Sequence, residues 1–177
     1  MITLRGPRVT LRPFHADEFD LVLDRYASEG PDRREARRRR LQRSGTRTAF
    51  ELLLAIEVEG RLAGEVQARC PEDAAPPGVF ELGIELYDEA DRGRGLGSEV
   101  VRVLSSHLFE HEGAIRLQAS TDVDNVAMRR SLEKCGFSFE GILRGFMPTM
   151  DGPRDHAMYG MTIADRRTTT GTWTSTS

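Results

Sequence analysis

Hydrophobic and polar positions alternate over residues 8–14, which predicts a first strand. Over 15–28 the spacing becomes helical, with Phe19, Leu21, Val22, Leu23 and Tyr26 marking the apolar side. Gly30-Pro31 breaks that helix. Asp32 is placed to cap a second one, and Gly45 to end it. Residues 49–59 and 61–70 read as a hairpin turning at Glu59-Gly60, followed by a loop over 71–77. A fourth strand is expected over 78–87, an amphipathic helix over 98–112 and a fifth strand over 115–121. A further helix opens at Asp124 or Asn125, with Val126, Met128 and Leu132 inward and Gly136 at its end. Strands over 137–146 and 157–163 complete the order β-α-α-β-β-β-α-β-α-β-β. No internal repeat is visible. Residues 168–177 are rich in Thr and Ser around one tryptophan and are expected to be disordered. The expected organisation is a single α/β domain over 1–165 with a flexible tail over 166–177.

Composition narrows the class. At 177 residues the chain is long enough for one self-sufficient core. No run reaches the ~20 apolar residues that a bilayer span needs. The N-terminus lacks the basic-then-apolar layout of a signal peptide, so a cytoplasmic protein is expected. Cys70 and Cys135 are too few for a disulfide framework. His15, His107, His111 and His156 are scattered, and no metal site is expected; His107 and His111 read as a solvated pair on a polar helix face. The second helix is unusually basic, with Arg33, Arg34, Arg37, Arg38, Arg39, Arg40 and Arg43. It is either a solvated face or a docking surface for an anionic partner. The absence of interleaved aromatic residues weighs against nucleic acid.

The chemistry concentrates at Arg92-Gly93-Arg94-Gly95-Leu96-Gly97, between the fourth strand and a helix. A glycine turn there gathers backbone N–H groups at the positive end of a helix dipole, a site suited to phosphates. It is not a P-loop, because Ser98-Glu99 follows the last glycine instead of Lys-Ser/Thr. It is not the dinucleotide fingerprint either, because the third glycine is wrongly spaced. It does resemble R/Q-x-x-G-x-G/A, the pyrophosphate loop of the GNAT superfamily of acyl-CoA-dependent N-acetyltransferases. A second block, Asn125-Val126-Ala127-Met128-Arg129-Arg130-Ser131-Leu132-Glu133-Lys134-Cys135-Gly136-Phe137, is similar to that superfamily's N-x-x-S-x-x-x-L-E-K-x-G-F segment. Val9-Thr10-Leu11-Arg12-Pro13 resembles the opening strand of its RimJ/RimL-type branch, and the stretch from Phe139 through Asp155 to Tyr159 resembles that branch's close. Together these cover residues 8–164.

The resemblance implies the GNAT fold, a mostly antiparallel mixed sheet splayed between its fourth and fifth strands, with flanking helices. It implies acetyl-CoA as co-substrate and no metal. Glu85, Leu86 and Tyr87 would hydrogen-bond the pantetheine arm through their backbones. Arg92 opens the loop in which Gly93, Arg94, Gly95, Leu96, Gly97 and Ser98 would wrap the pyrophosphate. Asn125 would contact the cofactor arm, and a backbone N–H at or next to Leu86 would hold the oxyanion. Dimers are common in the branch, so a homodimer stays open.

Catalytic groups are less regular. Glu81, Gly83 and Glu85 share a strand face by period two, which makes Glu81 and Glu85 the candidate bases. The fifth-strand glutamate of some N-terminal acetyltransferases falls on Ser120. The tyrosine that many relatives use as general acid falls on Leu132, and the serine expected three residues after Asn125 falls on Met128. Ser120, Thr121 and Tyr159 are candidate substitutes, the alternative being that the thiolate takes its proton from solvent or the nascent ammonium; Cys135 reads as core. The expected activity is acetylation of a small-molecule amine, with Asp151 and Asp155 near the mouth of a closed pocket. Two alternatives are a protein N-terminus, through an open groove, and a non-catalytic acyl-CoA-binding module.

Overall fold

The computed structural model describes residues 1–70 and 76–169. The expected loop over 71–77 therefore lies mostly outside the described residues, as does the tail over 170–177. Eight strands form one sheet: β1 (Leu4–Arg5), β2 (Val9–Arg12), β3 (Glu51–Val58), β4 (Arg61–Arg69), β5 (Val79–Leu86), β6 (Arg116–Asp122), β7 (Ser138–Met147) and β8 (Arg154–Thr162). Their spatial order is β1-β2-β3-β4-β5-β6-β8-β7. All neighbours are antiparallel except β5 and β6. The two-residue β1, which pairs Leu4 with Leu11, is too short to carry a period and was not expected from the sequence. The expected fourth and fifth strands are thus β5 and β6.

The helices are α1 (Phe19–Arg25), α2 (Pro31–Gln42), α3 (Leu96–His111), α4 (Val126–Lys134) and α5 (Ile163–Thr169). The single helix expected over 15–28 is instead α1 between two 3-10 turns, Ala16–Glu18 and Ala27–Glu29. Leu21 and Val126, both expected inside, are exposed. α2 begins one residue before Asp32: Pro31 occupies the first turn, where its missing N–H costs nothing, and Gly30 is the cap. Asn125 caps α4, its Oδ1 accepting from Met128 N at 3.1 Å. The expected boundary at 165/166 falls within α5, where Arg166 pairs with Glu110 and stands over the Phe109 ring.

Burial divides the sheet into two faces. Leu52, Leu54, Ile56, Val66, Phe80, Leu82 and Leu117 meet Leu96, Val100, Leu104 and Leu108 of α3, and Leu132 of α4. The α3 residues recur every four positions and so line one helix face. Each such fully buried side chain stabilises by about 1.5–3 kcal/mol. The opposite face is smaller: Phe14, Leu53, Ala55 and Tyr87 receive Val22 and Leu23 of α1 and Leu41 of α2.

α2 docks by charge rather than by an apolar stripe. Arg40 grips Glu51 through two nitrogens and reaches Gln67 at 2.7 Å. Arg37 stands 3.5 Å over the Tyr26 ring and 3.7 Å from Glu65. Arg34 and Arg38 pair with Asp24 and Asp20 of α1, and Arg39 with Glu35 one turn away. The arginine run therefore fastens α1 and α2 to each other and to the sheet.

Candidate active site

The sheet opens where β5 and β6 part. Their parallel ladder covers only Val79–Glu81 against Arg116–Gln118, so β5 beyond Glu81 has no partner on that side. Glu81 faces Gln118 across the ladder. Parity then puts Glu81, Gly83 and Glu85 on the same face as Gln118, Ser120 and Asp122, the face that α1 and α2 cover.

The backbone along this lip has a defined direction. Tyr87 N donates to Ala63 O at 2.9 Å, and Tyr87 O accepts from Arg25 Nη2 at 2.9 Å. Antiparallel alternation makes Glu85 and Glu65 the next bonded pair. The N–H of Leu86 therefore points away from β4, into the opening, while its C=O accepts from Arg92 Nη2 at 3.3 Å. The three backbone positions expected to hold the pantetheine arm are not equivalent: those of Tyr87 and Glu85 are engaged within the sheet, and Leu86 presents its N–H. A Cβ on Gly64, the residue across from Leu86, would stand 2.1 Å from Glu85 O, so only glycine admits this close approach.

Beyond β5 the chain enters the glycine turn. Gly95 is left-handed (φ 81°, ψ 3°) and caps α3 without any side-chain cap. A Cβ added at Gly93 or Gly97 would meet nothing within 4 Å. The first turn of a 16-residue helix is thus uncrowded at Gly93 and Gly97, with the Arg8 guanidinium beside Gly95, which fits a pyrophosphate. The Leu96 side chain is buried in the core, so that residue offers only its backbone. Arg92 and Arg94 remain half exposed beside the turn. Asp91, fully buried, fixes the approach: Arg61 grips both its oxygens at 2.6 and 2.8 Å, and Arg94 lies 3.4 Å away. The Arg61 hydrogen bonds hold the Asp91 carboxyl below its usual range.

Two elements here were not foreseen. Glu99, in the first turn of α3, is buried and accepts from the backbone N–H of Arg8 (2.6 Å) and Val9 (3.0 Å) and from Arg8 Nε (2.9 Å). It locks the start of β2 to the start of α3. Glu65 of β4 is buried beside Glu85 and accepts the Tyr87 hydroxyl at 2.9 Å. Burial raises its pKa above the usual carboxylate range. The Tyr26 hydroxyl donates to Glu85 at 2.5 Å, and burial together with that bond raises the Tyr26 pKa. The signal for Glu65 was the alternation Glu65, Gln67, Arg69, which puts polar groups on a central strand.

The other candidates separate. Ser120 stands on the β6 lip of the opening, its Oγ 3.3 Å from His156 Nδ1 of β8. Tyr159 lies on the opposite face, fully buried under α4; its hydroxyl donates to Glu133 at 2.9 Å and accepts from Arg129 at 3.2 Å. The structure does not bring it to Ser120 or Glu85. Thr121 shares the buried face. Glu81 pairs with Arg69 at 2.5 Å. Asp155 accepts from Gly145 N within the β7–β8 hairpin, and Asp151 is exposed at its tip, so the hairpin turn accounts for both aspartates.

Cys135 donates its thiol to Ser98 O at 3.2 Å, and burial raises its pKa to about 11. At pH 8 its thiolate fraction is then about 10⁻³, so a thiol reagent reacts with it roughly a hundredfold more slowly than with an exposed cysteine. Timed alkylation with mass detection checks this. His107 and His111 stack at 5.3 Å; among the described residues no cluster of three or more metal-capable side chains occurs. A cleft of about 760 Å³ runs along α3 past Glu99, Arg102, Ser106 and Glu110, on the other face of the sheet from Glu85.

The model of the GNAT acetyltransferase domain matches residues 8–138, so the chain belongs to the GNAT acetyltransferase family. Among curated proteins it is 37% identical over 81 residues to the uncharacterised N-acetyltransferase YoaA of Bacillus subtilis, covering 46% of this chain and 45% of that one. It is 32% identical over 82 residues to a kanamycin resistance protein of Rhizobium radiobacter, covering 46% of this chain and 72% of the other. The match thus spans under half of YoaA. Among solved structures, the ribosomal L7/L12 α-N-protein acetyltransferase RimL in complex with coenzyme A superposes with a TM-score of 0.75 at 18% identity, covering 93% of this chain and 99% of that one. The fold is the one the glycine loop implied. No helix among the described residues is long and apolar enough to cross a membrane.

Proposed function

We propose that the protein transfers an acetyl group from acetyl-CoA to a primary amine of a small cationic acceptor. The observation that carries the acceptor class is the pair Glu65 and Glu85, cross-strand partners beside the opening. Their shortest contacts are with neutral phenol hydroxyls, of Tyr87 and Tyr26. Arg37 stands farther off, at 3.7 Å from Glu65. Phenol hydroxyls do not neutralise a carboxylate, so Glu85 is left to attract an ammonium, and an ammonium beside the pair would favour the charged form of Glu65 that burial opposes. Tyr26 and Arg37 roof them, which favours a compact acceptor over an extended peptide. The kanamycin resistance relative is in keeping with a polycationic acceptor.

Acetyl-CoA supplies the acyl group as an activated thioester. In this reading the N–H groups of Gly95, Leu96, Gly97 and Ser98, with Arg92 and Arg94, hold the pyrophosphate, and Gly93 lets the turn approach it. Asn125 caps α4 and offers its amide nitrogen to the cofactor arm. Leu86 N–H donates to the carbonyl oxygen as it gains charge. Glu85 anchors the amine, Glu81 fixes Arg69, and Tyr159 holds α4 on β8. The protein needs no metal in this scheme.

The test is CoA release from acetyl-CoA followed by mass spectrometry, with two pools of acceptors. Kanamycin, spermidine and amino acids form one, and short peptides with free N-termini the other. The expected result is acetylated kanamycin or spermidine, with Glu85→Gln raising KM for that amine about tenfold, the loss of one charge contact. Acetylated peptides with silent small amines would overturn the reading in favour of protein N-termini. Acetyl-CoA binding with no product in either pool would favour a non-catalytic acyl-CoA-binding module.

A further inference from the structure

An alkylammonium must lose a proton before it can attack, and the two strand-face glutamates are already engaged: Glu81 by Arg69, Glu85 by Tyr26. Ser120 is the next polar group on that face. It stands on β6 one alternation past Gln118, where the β5–β6 ladder has ended, so it borders the opening directly. His156 reaches it from β8. The imidazole is buried, with Nδ1 3.3 Å from Ser120 Oγ and the Phe146 ring 5.3 Å from its own. Its neighbour across the ladder is Asp122, and that carboxylate is held by Arg154 at 2.5 Å. From β7 Leu143 lies across from it and the Phe146 ring stands against it, and neither titrates. Asp122 is thus the carboxylate next to it, and Arg154 binds both Asp122 and, at 2.8 Å, Asp124.

We infer that Ser120 and His156 form the proton-transfer pair of the reaction, Ser120 touching the amine and His156 acting through it. This rests on the acetyl-transfer reading above. With the imidazole protonated on Nε2, Nδ1 accepts the Ser120 hydroxyl. The acceptor ammonium gives up its first proton to solvent, the one net proton the reaction releases; the neutral nitrogen then attacks the thioester carbon, the C–N bond forms, the C–S bond breaks, and the electron pair leaves on sulfur. The surplus proton on nitrogen passes to Ser120 Oγ while the serine proton moves to His156 Nδ1. The imidazolium then returns a proton through the same hydroxyl to the leaving thiolate. Amide and thiol result, and both side chains end as they began. The pair thereby serves as base and acid at a place where the sequence pattern shows neither the expected glutamate nor the expected tyrosine.

His156→Gln and Ser120→Ala are compared with wild type, using kanamycin and spermidine as acceptors and melting temperature as the control for folding. His156→Gln is expected to lower kcat about a hundredfold with KM for acetyl-CoA unchanged. The pH–rate profile of the wild type should carry an inflection that the variant loses. Ser120→Ala is expected to lower kcat at least tenfold, and it decides the matter if His156→Gln does not fold. Wild-type turnover that folded variants match, or an inflection that persists in them, overturns the pair and leaves the transferase standing. No CoA release by wild type with either amine overturns the small-amine reading and the pair with it.

Discussion

Glu99→Ala lowers the melting temperature by about 6–12 °C. Glu99 is the acceptor for two backbone N–H groups at the start of β2, and the Val9 N–H is buried. Alanine leaves both donors without a partner, and each orphaned donor costs about 1–3 kcal/mol. It also releases the Arg8 guanidinium, which donates to Arg94 O and so steadies the glycine turn. The sum is roughly 3 kcal/mol, and each kcal/mol moves the melting point of a chain this size by about 2–4 °C. Glu99→Gln separates the two parts of the argument. Its amide oxygen still accepts from the backbone while its NH₂ repels Arg8 Nε, so it should melt between alanine and wild type. Thermal denaturation followed by circular dichroism reads all three. Equal melting of the alanine variant and wild type would mean that water replaces the carboxylate and that the clasp between β2 and α3 is not structural.

Long periodic segments were legible in the chain because burial imposes their period. The four-residue spacing of Leu96, Val100, Leu104 and Leu108 could satisfy only one helix face, and the unbroken apolar run Leu52–Ile56 fits a strand buried on both faces. The glycine loop was legible because Gly93 and Gly95 both take positive φ (73° and 81°), a conformation that side chains disfavour, at the start of a helix. The pairing of Ser120 with His156, by contrast, joins residues 36 positions apart on strands that meet only once the β7–β8 hairpin has folded back. Glu99 looked like an ordinary first-turn acid favoured by the helix dipole. Its carboxylate is turned to a strand that lies ninety residues earlier. The role of the arginine run was left open in the sequence for a related reason. Composition shows the cations, but Asp20, Asp24, Glu51 and Glu65, which neutralise them, come from other elements. Tyr159 was a reasonable donor by residue type, yet strand parity sends it to the α4 face.

Gly97→Glu separates folding from cofactor binding at the glycine turn. Position 97 lies in the first turn of α3, where a carboxylate is favoured by the helix dipole by about 0.3–1 kcal/mol. Glycine itself is a poor helix former, worth up to about 1 kcal/mol less than a good one. A Cβ there meets no atom within 4 Å, so the new side chain has room. The variant should therefore melt at or slightly above the wild-type temperature. The open space that accommodates the side chain is the space assigned to the pyrophosphate. A carboxylate roughly 6 Å from one phosphate charge costs about 2–3 kcal/mol at an effective dielectric near 20. Acetyl-CoA affinity should fall at least thirtyfold by titration calorimetry. Gly97→Ala adds the Cβ without the charge and should retain most of the affinity. Should the glutamate variant bind acetyl-CoA as tightly as wild type, the anion does not sit at the start of α3, and the roles given to Gly93, Gly95 and Arg94 fall with it. Should it fail to fold, the opening at residue 97 is not the free space its surroundings indicate. Loss of affinity at unchanged stability is the outcome that the geometry requires, because a charge that suits the bare helix end opposes the one the helix end is built to receive.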